Sequence, residues 1–498
     1  MTQSAPLKVL SVASEAVPLV KTGGLADVVG ALPGALAAHG VEVTTLLPGY
    51  PAVLAALEVK AGKKRAKKSK PVHAWSSLLG EPAQLWAGEM AGKPLLVLDC
   101  PALFQREGRP YSSESGQDWA DNWRRFAAFG RAAADVAAGA VAGLGFDLVH
   151  AHDWQAAMTL AYLRFAPPVG GKAIPSVMTI HNMAFQGYYP GEIFARLGLP
   201  DAAWSMHGVE YHHGVGFLKA GMEAASAITT VSPTYAREVR EAEFGMGLEG
   251  LIRSRGDRVR GIVNGIDPAE WCPEADSHLA EPYTLRSLAR RAANKRALEA
   301  EFGLEPGDGP LFIVVSRLTW QKGMDVLAGC LDHLVGLGGR LALLGNGDAA
   351  LEAELKQAAA RHPGRIGLHI GYNEALAHRM QGGGDAILVP SRFEPCGLTQ
   401  LYGLAYGCVP VVAHTGGLAD TVIDANLAAL AAGVATGIQF AGVSQPALAE
   451  AIERAVKLYH QPEIWRNIQK NGMRADFSWG TSGGAYASLY GELIAEHI

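Results

Sequence analysis

Two permanent cations stand five residues apart in Ser316-Arg317-Leu-Thr-Trp-Gln-Lys322-Gly323, just after the β-branched run 311–315 and where a helix can begin. Arginine grips phosphate oxygens with paired N–H groups and lysine adds a point charge. Together they could neutralise a departing diphosphate without a metal. A second strand-like run, 386–389, leads into Pro390-Ser-Arg392-Phe-Glu394-Pro-Cys396-Gly397-Leu398-Thr399, which sets a carboxylate beside a proline-stiffened turn and a helix N-terminus. Glu394 could accept hydrogen bonds from sugar hydroxyls or stabilise positive charge at an anomeric carbon. In the first half of the chain, His150-Ala-His152-Asp153-Trp154 and His181-Asn182-Met-Ala-Phe-Gln-Gly187 bring imidazole, carboxylate and amide groups to the ends of two further strand-like runs. The hexapeptide Thr-Gly-Gly-Leu-Ala-Asp occurs at 22–27 and again at 415–420, each time after a β-rich run and before a helix-compatible stretch. Glycines there let the backbone approach an anion, with the free N–H groups of a helix N-terminus pointing at it.

Each motif has a plainer alternative when read alone. Gly-Gly can simply turn strand into helix, Arg317 and Lys322 can flank a surface turn, and Glu394 can complement the dipole of the helix that follows it. The histidines lack a third ligand at motif spacing, so no metal is expected. Gly345-Asn-Gly347-Asp-Ala-Ala350 matches a dinucleotide fingerprint, but the acid due about 20 residues on is missing, because the next strand closes Leu368-His-Ile-Gly371. A phosphate-binding P-loop motif is also absent from the sequence. These gaps argue against a dinucleotide oxidoreductase and a P-loop ATPase.

Elements that could position these groups are legible. Short β-branched runs alternate with Ala/Leu-rich stretches in two series, one through 41–47, 95–98, 147–150, 176–180 and 227–231, the other through 311–315, 340–344, 366–370, 386–389 and 409–413. This alternation predicts parallel sheets covered by helices on both faces. Turn residues and weak periodicity at 262–290 place a domain junction there, giving an N-terminal domain over 1–262, a C-terminal domain over 263–475, and a helical tail over 476–498 that returns to the first domain. Ligands collect beyond the carboxyl ends of such strands, where all the motifs above fall. At 498 residues and 49% apolar, the chain can bury two large cores. A net charge of −5 gives no global attraction to nucleic acid or anionic lipid. The basic run Lys60 to Lys70, with seven cations in eleven residues, reads as a solvated loop. Five scattered cysteines argue against a disulfide framework, and the N-terminus lacks a signal-peptide pattern, so a cytoplasmic protein is expected.

Taken in order, Lys21-Thr-Gly-Gly-Leu25, His152-Asp-Trp154, His181 to Gly187, Ser316 to Gly323 and Glu394-Pro-Cys-Gly-Leu398 resemble the bacterial glycogen synthase and plant starch synthase family over essentially the whole chain. The resemblance implies a GT-B glycosyltransferase, an α/β protein of two Rossmann-like doubly wound domains facing each other across a cleft. It implies transfer of glucose from ADP-glucose to the non-reducing end of an α-1,4-glucan such as glycogen, with retention of configuration and no cofactor. Carried over, Lys21 and the Gly23 and Gly24 amides would contact the nucleotide sugar, and Arg317 and Lys322 its diphosphate. His181, Asn182 and Asp153 would lie near the transferred glucose and the acceptor. Glu394 with Cys396, Gly397, Leu398 and Thr399 would hold sugar and phosphate, Tyr372 would stack on adenine, and Tyr111 and Asn264 would complete the site. The second hexapeptide, without a preceding lysine, would line the cleft opposite the first. An α-glucan phosphorylase with a lysine-bound pyridoxal phosphate and a silent sugar-binding protein are the alternatives; oligomeric state leaves no trace in the sequence.

Overall fold

The computed structural model describes residues 6–60, 70–114 and 116–497, so the basic run between Lys60 and Lys70 lies outside the described residues apart from its two ends. The chain forms two compact units. One comprises Met1–Val231, Ala236–Gly265 and Trp479–Ile498, the other Ser232–Tyr235 and Ile266–Ser478.

The sheet of the first unit runs, edge to edge, Val259–Gly261, Ala227–Thr230, Ser176–Ile180, Leu148–His152, Leu7–Val12, Val41–Pro48, Lys93–Asp99, Glu81–Met90, His73–Leu78. All pairings are parallel as far as Lys93–Asp99, and the last two strands add antiparallel pairs. Leu148–His152 and Ser176–Ile180 are buried at every position, as expected of central strands covered on both faces. The final helix, Trp479–His497, packs in this unit beside the helix Gly24–Ala37. Its Tyr486, Leu489, Tyr490 and Leu493 join Val9, Leu32, Leu36 and Val41 in one core. Gly483 permits this approach, since a Cβ there would sit 2.9 Å from the Ala35 carbonyl oxygen.

The second unit has a six-stranded parallel sheet in the order Ile366–Ile370, Arg340–Gly345, Leu311–Val315, Ala386–Val389, Val409–Ala413, Ile438–Phe440. Side chains alternate between two buried cores. Phe312, Val314, Leu341 and Leu343 enter one, while Leu311, Ile313, Ala342 and Leu344 enter the other. The connector after Gly265 packs on this unit through Trp271, whose ring stacks on His378 at 3.8 Å and on Tyr402 at 3.6 Å. The Asp276 carboxylate accepts from the Tyr406 hydroxyl at 2.6 Å and pairs with His378 at 2.8 Å.

Counted in chain order, the strands of the second unit lie 3-2-1-4-5-6, and the parallel strands of the first repeat that order with a seventh at the edge. In each unit, strands 1 and 4 are therefore neighbours whose following connections leave in opposite directions, which opens a crevice at their carboxyl ends. In the first unit this point lies after Val12 and His152, in the second after Val315 and Val389. No helix among the described residues is long and apolar enough to cross a membrane.

Candidate active site

In the first unit the chain leaves strand Leu7–Val12, loops through 13–23 and enters helix Gly24–Ala37 with Gly23 as an extended N-cap. A Cβ placed on Gly23 or Gly24 would meet nothing within 4 Å. Packing therefore does not require these glycines; they leave bare amides in front of a helix N-terminus. Lys21 forms a 2.7 Å ion pair with Asp27 one turn into that helix. Beneath the loop, Glu15 is 3% exposed and accepts from the Thr22 hydroxyl at 2.6 Å, from the Thr22 amide and from the Tyr111 hydroxyl. Glu15 belongs to none of the sequence motifs above. Its signal was its place, just beyond the first strand.

The strand Leu148–His152 ends in Asp153, which adopts a left-handed backbone at φ 56° as it opens the helix Asp153–Phe165. Such a conformation in a non-glycine residue is strained and clusters at functional sites. Its carboxylate accepts from the His181 amide at 2.7 Å and also from the Asn182 amide, so it braces the neighbouring strand-end loop. Burial pushes the Asp153 carboxyl up to about 7, against the lowering pull of those amides. Asn182 shapes the same loop, its side-chain oxygen accepting from the Ala184 amide at 3.0 Å. Gly187 closes it, because a Cβ there would lie 2.5 Å from the Trp154 ring.

Three imidazoles line the strand ends, and each has its own fixed position. His150 is held by Tyr490 at 2.7 Å and Thr179 at 2.5 Å, while His152 bridges Ser11 at 3.2 Å and His181 at 3.1 Å. Burial lowers the pKa of His150 and His181 to about 3 and that of His152 well below its usual value, so all three are neutral at physiological pH. A neutral His181 whose Nε2 is engaged with His152 has Nδ1 left to address a ligand. Among the described residues no group of three His, Cys, Asp or Glu side chains is arranged to hold a metal. Asn264, 5% exposed, keeps a buried side-chain oxygen without a partner among the described residues.

In the second unit the two loops beyond strands 1 and 4 are stapled together. The Arg392 amide donates to the Gln321 carbonyl at 2.9 Å, and its guanidinium grips both Asp325 oxygens at 2.7 Å and lies 4.3 Å above the Trp320 ring. Gly323, at φ 68°, sits where a Cβ would meet the Pro390 carbonyl oxygen at 1.9 Å. This clamp brings Lys322 Nζ to 2.5 Å from Glu394 Oε2, which also accepts from the Ser391 hydroxyl at 2.8 Å. Arg317 follows the same strand end as Lys322 and is exposed, its carbonyl accepting from the Ser316 hydroxyl at 3.1 Å. Cys396, Gly397 and Leu398 lead into the helix Thr399–Tyr406, and the buried Gln400 side chain donates to the Cys396 and Gly397 carbonyls at 3.1 and 3.0 Å. Tyr372, after strand Ile366–Ile370, is 74% exposed.

The second hexapeptide differs from the expectation of a loop open to ligand. Its Gly416 and Gly417 are buried, with the Glu394 and Cys396 carbonyl oxygens 1.9 and 2.2 Å from where a Cβ would stand. Asp420 accepts from the Thr234 amide and hydroxyl at 2.6 and 2.7 Å. These glycines support the Glu394 turn from behind.

Two Rossmann-like units, one presenting a glycine-fronted helix with a buried His-Asp cluster and the other a cationic pair beside a carboxylate, define a GT-B glycosyltransferase. The starch synthase catalytic domain family matches residues 8–254, and glycosyl transferases group 1 matches 296–472. Glycogen synthase from Novosphingobium aromaticivorans is 71% identical over 490 residues, covering 98% of this chain and 99% of that one. Glycogen synthase from Mesorhizobium japonicum is 58% identical over 99% of this chain and 100% of its own. The catalytic domain of starch synthase IV from Arabidopsis thaliana, solved bound to ADP and acarbose, superposes with a TM-score of 0.85 at 30% identity, covering 98% of this chain and 100% of that one. The chain belongs to the glycogen synthase and starch synthase family.

Proposed function

We propose that this glycosyltransferase moves glucose from ADP-glucose to the non-reducing end of an α-1,4-glucan, with retention of anomeric configuration, in glycogen synthesis. The observation that carries the reading is the stapled pair of loops in the second unit, which sets Lys322 and Glu394 2.5 Å apart with Arg317 at the same strand end. On this reading Arg317 and Lys322 take the diphosphate. Charge building on it as the glycosidic bond breaks is stabilised by groups already in place, so no metal is invoked. Glu394 and the Cys396 to Thr399 amides orient the donor glucose, with Tyr372 against the adenine. Lys21 and the Gly23 and Gly24 amides contribute from the first unit, as do His181, Asn182, Tyr111 and Asn264. Asp153 acts by holding the His181 loop, which its bond to the His181 amide supports.

Retention is assigned to attack on the face from which the diphosphate departs, with a leaving phosphate oxygen accepting the acceptor hydroxyl's proton. Trapping a glucosyl-enzyme on Asp153 or Glu394 would overturn that assignment. Five cysteines without a disulfide fit a cytoplasmic site of action. The function is tested by incubating the protein with glycogen and either ADP-glucose or UDP-glucose and measuring nucleotide release and chain growth. ADP release coupled to elongation is expected, undiminished by a chelator; release with neither donor sinks the reading.

A further inference from the structure

We propose that Glu15 is a positioning residue that locks the donor loop to Tyr111, so that the Lys21-Thr-Gly-Gly amides stand ready before substrate arrives. The inference rests on the function proposed above and adds a role for a residue outside the motifs that carry the sequence resemblance. A carboxylate this buried is costly unless donors surround it. Glu15 has no ion-pair partner among the described residues and is instead met by three donors, the Thr22 amide, the Thr22 hydroxyl and the Tyr111 hydroxyl. Charge-assisted bonds of this kind are the stronger class.

Two stretches of chain 96 residues apart are thereby joined. Thr22 is itself exposed, as are Lys21, Gly23 and Gly24, so few other contacts hold this part of the loop. Its base is anchored separately, by the Val17 amide on the Ala26 carbonyl at 3.1 Å and by the Ala16–Val20 backbone pair at 3.1 and 3.0 Å, and Lys21 is tied to Asp27, so Glu15 is what holds Thr22 between them. On the other side, Tyr111 has one hydroxyl proton and gives it to Glu15, so Ser14, 2.7 Å away, donates to the phenol oxygen. The backbone of Tyr111 is fixed in turn by the Asn122 side chain, which donates to its carbonyl at 2.9 Å. Pre-set amides cost no ordering when the donor binds, whereas a loose loop must be ordered at that moment.

Glu15→Gln keeps the side chain's size but turns an NH2 group toward a donor that only an acceptor can satisfy. Its kcat/KM for ADP-glucose is expected to fall between about tenfold and a hundredfold, mostly in KM, with the thermal midpoint nearly unchanged. Thr22→Val and Tyr111→Phe should each show part of this loss, and the double variant less than the product of the two, because both act through one carboxylate. Amide hydrogen exchange gives a readout that needs no turnover: the Thr22 amide, bonded to Glu15, should be protected in the parent protein and exchange faster in Glu15→Gln. Unchanged kinetics and unchanged Thr22 exchange in Glu15→Gln overturn the proposal. So does a loss of activity that only tracks a lower folded fraction. If the parent protein releases no ADP, the function reading fails instead, and Thr22 exchange still decides whether Glu15 holds the loop.

Discussion

The two Thr-Gly-Gly-Leu-Ala-Asp segments have the same letters and opposite surroundings. At Gly23 and Gly24 an added Cβ would meet nothing, whereas at Gly416 and Gly417 it would strike the backbone of the Glu394 turn. Asp27 pairs with the exposed Lys21 of its own loop, and Asp420 is spent on the amide and hydroxyl of Thr234, far away in sequence. One copy leaves its glycine amides open; the other's glycines let a neighbouring strand-end loop come close. Identity of sequence at a glycine pair therefore does not say whether the protein's own packing requires it.

Substitutions can break this contrast. The largest effect is expected when the supported turn itself is hit: on the proposed function, Lys322→Ala or Glu394→Ala should lower kcat by about 10²–10³-fold, more than any accompanying loss of folded protein from the broken pair accounts for. Near-normal turnover in either variant would remove it from the site. Gly417→Ala should cost about 3 kcal/mol in denaturant unfolding of the second unit, because the obstruction is backbone that cannot step aside, and turnover should fall with it. Gly23→Ala, at an extended φ of −161° that any residue adopts, should fold normally and raise the KM for ADP-glucose by about tenfold. If it instead destabilises the protein, the first copy is structural too. The smallest contrast lies in the aspartates. Asp420→Ala should cost about 1–2 kcal/mol of stability through two lost buried bonds, and Asp27→Ala less than about 1 kcal/mol through a part-exposed pair.

Much of the fold was readable because parallel strands buried on both faces need unbroken β-branched runs, and both series of runs became strands. Strand-end motifs then fell together because the 3-2-1-4-5-6 order makes the first and fourth strands neighbours: residues 315 and 389, remote in sequence, open on one crevice. The pattern placed Lys322 and Glu394 at two strand ends, and the strand order of the structure brings them together. The role of the second glycine pair was not legible in the pattern, since what fills the space beside a glycine is decided by packing between loops. Glu15 was missed for a related reason. A single acid after a strand is common, and its three donors come from positions 7 and 96 residues away. Asp153 was expected near the reacting sugar, and its strained backbone and grip on the His181 loop could not be inferred from its spacing.

The helix Trp479–His497 sets an order of events in biosynthesis. Tyr490 caps His150 across 340 residues, and the same helix fills the core around Val9, Leu32 and Val41. The strands Leu7–Val12 and Val41–Pro48 are synthesised well before this helix, and their unit is missing one wall until it is made. The second unit, whose residues 266–478 are contiguous but for one short segment, can mature before the first is complete. A chain cut shortly before Trp479 would thus expose an apolar strip along Leu32 and Leu36, so a break late in the sequence acts on a unit built mostly from its early residues.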